Sequence, residues 1–252
     1  MELPASQNEL VERVLAANPD TVVVVNAAAP LRMDWAGRAP AILWAGYGGQ
    51  EAGGALADLL FGEASPGGRL PTTFPRRLRD HPAHRSEPYS YPGTDGRVEY
   101  REGIFLGYRH FDREGPPPLF PFGHGLTYTR FSYGPVELES EEIAADEELR
   151  LCIRIQNTGS RPGQEVVQCY LHDCESSLPR PEQELVAFAK LELLPGESRR
   201  VEICLDRRAL SFWDPARHAF VCEPGEFELR LGRSSRDIRA RARFTLLPDP
   251  PV

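Results

Sequence analysis

The run "TVVVVNAAAP" at positions 21–30 constrains this chain more than any other stretch. A strand that borders water alternates polar and apolar side chains. Four consecutive valines, Val22 to Val25, leave no polar face, so the run predicts a strand covered on both sides, as in the core of a parallel sheet. "AILWAGY", from Ala41, is a second run of the same kind. Helical spacing surrounds the pair. "SQNELVERVLAANP" sets Leu10, Val11, Val14 and Leu15 on one face, with Ser6 expected as N-cap and Glu9 closing a capping box. "QEAGGALADLLFG" follows with Gly62 placed as a C-cap. The N-terminal part therefore reads as an α/β fragment, a mostly parallel sheet with flanking helices. Two strands and two helices cannot cover both faces of a parallel sheet, which leaves an edge to water or to a partner. Further strands are expected, either before Met1 or from another chain.

From Pro135 onward the pattern switches to antiparallel β. "LRLCIRIQN" alternates Leu149, Leu151, Ile153 and Ile155 with mostly polar neighbours. "QEVVQCYLHD", "QELVAFAKLELL", "SRRVEICLD", "HAFVCEPG", "FELRLG" and "IRARARFTLL" follow, split by turn-forming residues. Some seven strands over about 110 residues predict an all-β two-sheet sandwich. Without a cysteine–tryptophan–cysteine spacing, fibronectin type III-like is the better label than immunoglobulin. Between these regions, the Pro-, Gly- and aromatic-rich stretch to about residue 134 is too long for an ordinary loop. Its rings predict a segment lying extended over other surfaces and docking by its aromatics. The expected organisation is an α/β part over 1–95, a connecting segment over 96–134 and the sandwich over 135–252.

A formal net charge of −8 offers no basic surface for nucleic acid or an anionic membrane. No apolar run reaches the length of a membrane span. No charged-then-apolar leader opens the chain, which favours a cytoplasmic location if Met1 is the natural start. Five cysteines, an odd number with no CxxC pair, favour neither a zinc site nor a disulfide framework. A bridge such as Cys169 with Cys222 remains open for an exported protein. His110, His124 and His218 lack metal-ligand spacing, so neither a metal nor another cofactor is assigned.

Several phrases occur together in a telling order: "ILWAGYGGQEAGGALADLLFGEASPGGRLPTTFP", "YREGIFLGYRHFD", "LFPFGHGLTYTRFSYG" and "EPGEFELRLGRSSRDI". In this order they resemble the C-terminal half of glycoside hydrolase family 3, the β-glucosidase and β-xylosidase family, over nearly the whole chain. The resemblance implies the end of an α/β sandwich domain followed by a fibronectin type III-like domain, in a protein that also has a (β/α)₈ barrel. It implies retaining hydrolysis of a β-linked glucoside or oligosaccharide by two carboxylates. In the family the nucleophile comes from the barrel. The acid/base glutamate comes from the α/β domain, just upstream of the segment that here ends at Leu3-Pro4. Both catalytic carboxylates are therefore expected outside this chain, leaving it inactive alone. The alternative is a non-catalytic scaffold or carbohydrate-binding subunit that pairs with a separate barrel chain.

No catalytic residue is assigned, and the candidate substrate-binding residues are Tyr47, Gln50 and Glu51, in the loop after the second strand. Loops at the C-terminal ends of parallel strands are where α/β sheets bind ligands. Glu51 is first of all an acid in the opening turn of a helix; a role at a pocket rim is the second reading. Tyr47 is an even choice between sugar stacking and packing, whereas Trp44 is expected in the core. Gly48, Gly49, Gly53 and Gly54 are expected to permit tight turning and close helix packing. Asp34 is expected to cap a short turn and His124 to make a structural hydrogen bond. Ser65, in "GEASPGG", reads as turn chemistry, and no GxSxG nucleophile elbow occurs.

Overall fold

The fold was described from a computed structural model, which describes residues 1–84, 88–144 and 147–248. Helix α1 (Ala5–Ala17) starts directly after Pro4, whose extended backbone (φ −47°, ψ 139°) stands at the N-cap. The Pro4 carbonyl accepts from Gln7 and Asn8 N–H at 2.9 and 3.3 Å. Ser6 thus lies inside the first turn, where a helical residue cannot act as N-cap, and the expected capping box does not form. Glu9 instead reaches one turn forward to Arg13, at 2.6 Å.

Strands β1 (Val22–Val25) and β2 (Ala41–Trp44) pair in parallel, Val22 opposite Ala41. Within this chain one face of the pair is covered, as expected of two strands and two helices. Val23 and Val25 are buried with Leu15, Met33, Trp35 and Phe74, whereas Val22 and Val24 are 48% and 36% exposed. A two-stranded sheet has one layer over it here, so its second face meets solvent. Helix α2 (Ala52–Phe61) ends as expected at Gly62, whose left-handed backbone (φ 79°) lets its N–H reach the Leu59 carbonyl.

The connecting segment docks by its rings. Phe74 meets Trp44 edge-on at 4.8 Å and Phe120 at 6.1 Å. Tyr108 stacks on Phe122 at 4.9 Å, meets Tyr170 edge-on at 5.8 Å, and accepts the Leu185 N–H on its hydroxyl. Tyr108 opens a short helix, α3 (Tyr108–Arg113), where an extended chain was expected.

The sandwich begins earlier than Pro135, with β3 (Phe131–Leu138), an edge strand. Proline has no N–H to give a ladder, and Pro135 falls where the β3 register shifts between Tyr133 and Val136. There follow β4 (Glu142–Ile143), β5 (Leu149–Asn157), β6 (Gly163–Asp173), β7 (Glu184–Leu193), β8 (Ser198–Leu205), helix α4 (Arg207–Leu210), β9 (Phe212–Asp214), β10 (Ala219–Val221), β11 (Gly225–Ser234) and β12 (Asp237–Leu246). One sheet runs β4-β12-β11-β6-β7 and the other β3-β5-β8. Their inner faces share one large core that includes Leu149, Ile153, Cys169, Leu193 and Leu229. "HAFVC", expected as a sandwich strand, pairs instead with β9 in a small hairpin outside both sheets. All five cysteines are free, and burial pushes the Cys169 thiol up to about 12.

The α/β part and the sandwich are joined by a buried ion cluster. Glu165, on β6, is fully buried, and its two oxygens meet Arg69 Nη2 at 2.6 Å and Arg233 Nε at 3.0 Å. Removing one partner of a buried pair strands the other charge and costs about 3–5 kcal/mol. Glu165→Gln is therefore expected to lower stability by that order. Glu9→Gln, at an exposed pair, should change it by less than about 0.5 kcal/mol. Urea unfolding of the two variants checks both.

Candidate functional site

The corner after β2 turns the chain from strand to helix. The Ala45 N–H still donates to the Val25 carbonyl at 2.9 Å, the last rung before the turn. Gly46 and Gly49 take positive φ (59° and 69°). A Cβ on Gly48 would lie 2.7 Å from that of Ala52, so close helix packing accounts for this glycine. Gly53 and Gly54 have open space around them, contrary to the packing expected of them. The expectation for Trp44 holds, since its ring packs on Phe74.

Tyr47, Gln50 and Glu51 all lie exposed on this corner, Tyr47 at 79%. Glu51 is the N-cap residue of α2 but makes no side-chain cap hydrogen bond. Among the described residues no salt bridge holds Glu51, and no second carboxylate is paired with it. The corner therefore presents a ring, a carboxamide and a carboxylate to solvent, groups suited to a polyhydroxylated ligand and insufficient for acid catalysis alone.

The other candidates resolve into structural roles. Asp34 does not cap its turn; both its oxygens take up Arg32, at 3.0 and 2.5 Å, and that guanidinium holds the carboxyl below the usual range. His124 makes its hydrogen bonds through the backbone, with Leu70 and Pro121, while its imidazole stacks on Phe120. Ser65 Oγ lies 2.6 Å from the Thr127 hydroxyl and accepts the Tyr128 N–H, a bracket between segments. Among the described residues no group of three or more His, Cys, Asp or Glu side chains is arranged to hold a metal ion.

Comparison with known proteins decides the family. Residues 1–108 match the glycosyl hydrolase family 3 C-terminal domain, and residues 165–235 match the fibronectin type III-like domain. The chain belongs to the C-terminal region of glycosyl hydrolase family 3. It is 45% identical over 249 residues to a beta-glucosidase of Rhizobium radiobacter, covering 99% of this chain and 30% of that protein. It is 42% identical over 238 residues to the thermostable beta-glucosidase B of Acetivibrio thermocellus, covering 94% of this chain and 31% of that protein. Among solved structures, DesR, a beta-glucosidase of Streptomyces venezuelae in complex with D-glucose, superposes with a TM-score of 0.92 at 39% identity, covering 98% of this chain and 31% of that one. The glucose complex of Kluyveromyces marxianus beta-glucosidase gives 0.91 at 36% identity, covering 98% and 29%. The family 3 chain thus spans 29–31% of the length of these four relatives.

Among the described residues of this family 3 chain, two acids carry the raised pKa expected of a general acid. Burial lifts the Asp112 carboxyl against the pull of Arg236 and Gln183, and lifts Asp173 against that of Arg180. Both are ion-paired, at 2.8 Å to Arg236 and 2.9 Å to Arg180. Each reads as a structural tie.

Sequence reasoning missed the Arg69–Glu165–Arg233 cluster and His81. A signal for Glu165 existed: it falls in the inward phase of β6 with Val167, Cys169 and Leu171. Burial lowers the His81 pKa, as do the neighbouring charges of His84 and His110. Burial likewise lowers that of His124, with Arg69 and Arg233 adding to it. Both histidines are held neutral in the fold. As pH falls through the ordinary histidine range near about 6.5, the unfolded chain takes up these protons first. Stability is then full above that range and lost below it. Urea midpoints should drop between about pH 7.5 and 5.5, with a shallower slope in His81→Asn, where the amide oxygen can still accept the Ala83 N–H that His81 Nδ1 accepts at 3.2 Å.

Proposed function

We infer that this chain is the C-terminal portion of a retaining β-glycosidase of β-glucosidase type, acting on O-glycosyl bonds of a β-linked glucoside or oligosaccharide. The observation that carries the reading is the match to two glucose-bound beta-glucosidases over 98% of the chain, with TM-scores of 0.92 and 0.91. Tyr47, Gln50 and Glu51 contribute to the rim of the sugar site. The ring of Tyr47 suits the C–H face of a pyranose, and the two polar side chains suit vicinal hydroxyls. The sandwich braces this rim through the Arg69–Glu165 joint.

Retaining hydrolysis needs a nucleophile and an acid/base roughly 5 Å apart. Neither is assigned to the described residues. Glu51 stands without a second carboxylate, and Asp112, Asp173 and Glu165 are bound to arginines. Both catalytic groups come from elsewhere in the complete enzyme, whether from the same polypeptide or from a separate (β/α)₈ barrel chain. The apolar groups at the surface, Leu10, Val14, Val22 and Val24 among them, support contact with further protein.

The test is a chimera in which this chain replaces the matching region of the Rhizobium radiobacter beta-glucosidase. The chimera should hydrolyse an aryl β-glucoside and the chain alone should not. Glu51→Gln in the chimera should lower kcat/KM by about tenfold or less, whereas loss of a general acid costs about 10²–10⁴-fold. An inactive but folded chimera, or turnover by the chain alone that disappears in Glu51→Gln, would overturn the reading.

A further inference from the structure

Away from the corner, a concave surface opens where the C-terminal end of α2 meets the start of β6. Phe61, Glu63, Tyr128, Arg161, Gln164 and Glu192 line it. Phe61 is 85% exposed and, among the described residues, stacks on no other ring.

The walls are tied across the two halves of the chain. The Tyr128 hydroxyl donates to the Leu59 carbonyl at 2.8 Å, and the Tyr128 N–H donates to Ser65 Oγ at 3.0 Å. Arg161 Nη1 donates to the Gly62 carbonyl at 3.3 Å, and Gln164 Nε2 to Glu192 Oε2 at 3.4 Å. Walls held by such bonds lose little freedom when a ligand arrives.

The lining selects the ligand class. A guanidinium, a carboxamide and carboxylates are planar groups that bond two adjacent hydroxyls at once. An aromatic ring beside them accepts the C–H face of a pyranose. Glu63 and Glu192 outnumber Arg161, which disfavours a phosphate or other anion. With two rings and four polar side chains, the lining also suits an apolar peptide poorly. Because the surface is an open groove, it fits a chain of sugars better than an enclosed monosaccharide.

The geometry points to an oligosaccharide-binding groove on this seam, separate from the corner at Tyr47–Glu51, which holds several residues of a neutral β-linked glucan. That the glucan is β-linked rests on the β-glycosidase reading; the groove itself does not. Its role is to retain a long substrate on the enzyme while one end reaches the reaction site.

The test reads binding directly on this chain, without turnover. Cellotetraose is titrated into the isotopically labelled protein, and amide shifts are followed by NMR. Saturable shifts are expected at Gly62, Glu63 and Gln164. Phe61→Ala should weaken the affinity about tenfold. That variant removes an exposed side chain and should leave the urea midpoint unchanged; Glu192→Gln, which keeps shape and removes charge, should also weaken binding. Absence of shifts at these amides, shifts confined to Tyr47–Glu51, or an affinity unchanged in Phe61→Ala would overturn the groove. An active chimera with no groove shifts would sink this proposal and leave the β-glycosidase reading standing.

Discussion

The buried cluster of Glu165 between Arg69 and Arg233 is the contact on which the geometry of the N-terminal half depends. Taking a carboxylate and two guanidinium groups out of water costs several kcal/mol per ion, which mutual attraction offsets only when the geometry is held tightly. That condition makes the cluster a positioning device. Arg69 is fixed by Glu165, and next to it Leu70 pairs with the 123–124 turn in both directions, each bond 2.8 Å long. Phe74 then pairs with Phe120, and Trp44 packs on Phe74. Three residues after Trp44 stands Tyr47. A charge on the sandwich is in this way linked, contact by contact, to the exposed corner. Gly123 shows how close the joint is: its backbone is left-handed (φ 79°), and a Cβ there would lie 2.0 Å from the Gln168 side-chain oxygen.

The two halves differ in how they meet the hydrophobic requirement. Among the described residues, the sandwich core gathers twenty buried hydrophobic residues and satisfies itself. The α/β part gathers six, Leu15, Val23, Val25, Met33, Trp35 and Phe74, and none of α2's residues is buried. An α/β layer of that size gains part of its order from outside its own core. Leu119 and Phe120 supply it from the connecting segment, Phe120 meeting Phe74 edge-on. That segment works as packing material between two layers.

Much of this organisation could be read from residue patterns because the patterns are local. Alternation located the main sandwich strands, and continuous apolar runs located β1 and β2. Gly62 marked the end of α2. The errors arose where a local signal met a stronger constraint. Pro4, with its fixed φ, set the start of α1 and displaced the Ser6 cap. Arg32 captured Asp34 before it could cap a turn. "HAFVC" alternates like a core strand, yet its partner is the neighbouring "FWD". The corner at Tyr47, Gln50 and Glu51 was singled out because a loop after a parallel strand is a general ligand position. The pairing of Arg69 with Glu165 was not, since the two lie 96 residues apart, although the inward phase of β6 marks Glu165 as buried.

The acids illustrate why a perturbed pKa does not identify a catalytic group by itself. Asp112 and Asp173 are both pushed up by burial, the same shift a general acid requires. What separates them from a catalyst is where their hydrogen-bonding capacity goes. Asp112 is held by Arg236 and Gln183, and Asp173 by Arg180 and the Glu175 N–H. A general acid must keep an oxygen available to the leaving group, and these oxygens are committed to neighbours in the fold. Glu51 differs in its geometry: its side chain is exposed and makes no cap hydrogen bond. Acid catalysis needs a raised pKa and an available oxygen in one side chain, beside a second carboxylate. Among the described residues the acids that burial pushes up are committed to arginines, so in the proposed β-glycosidase the corner would hold the sugar and carboxylates from another part of the enzyme would cleave it.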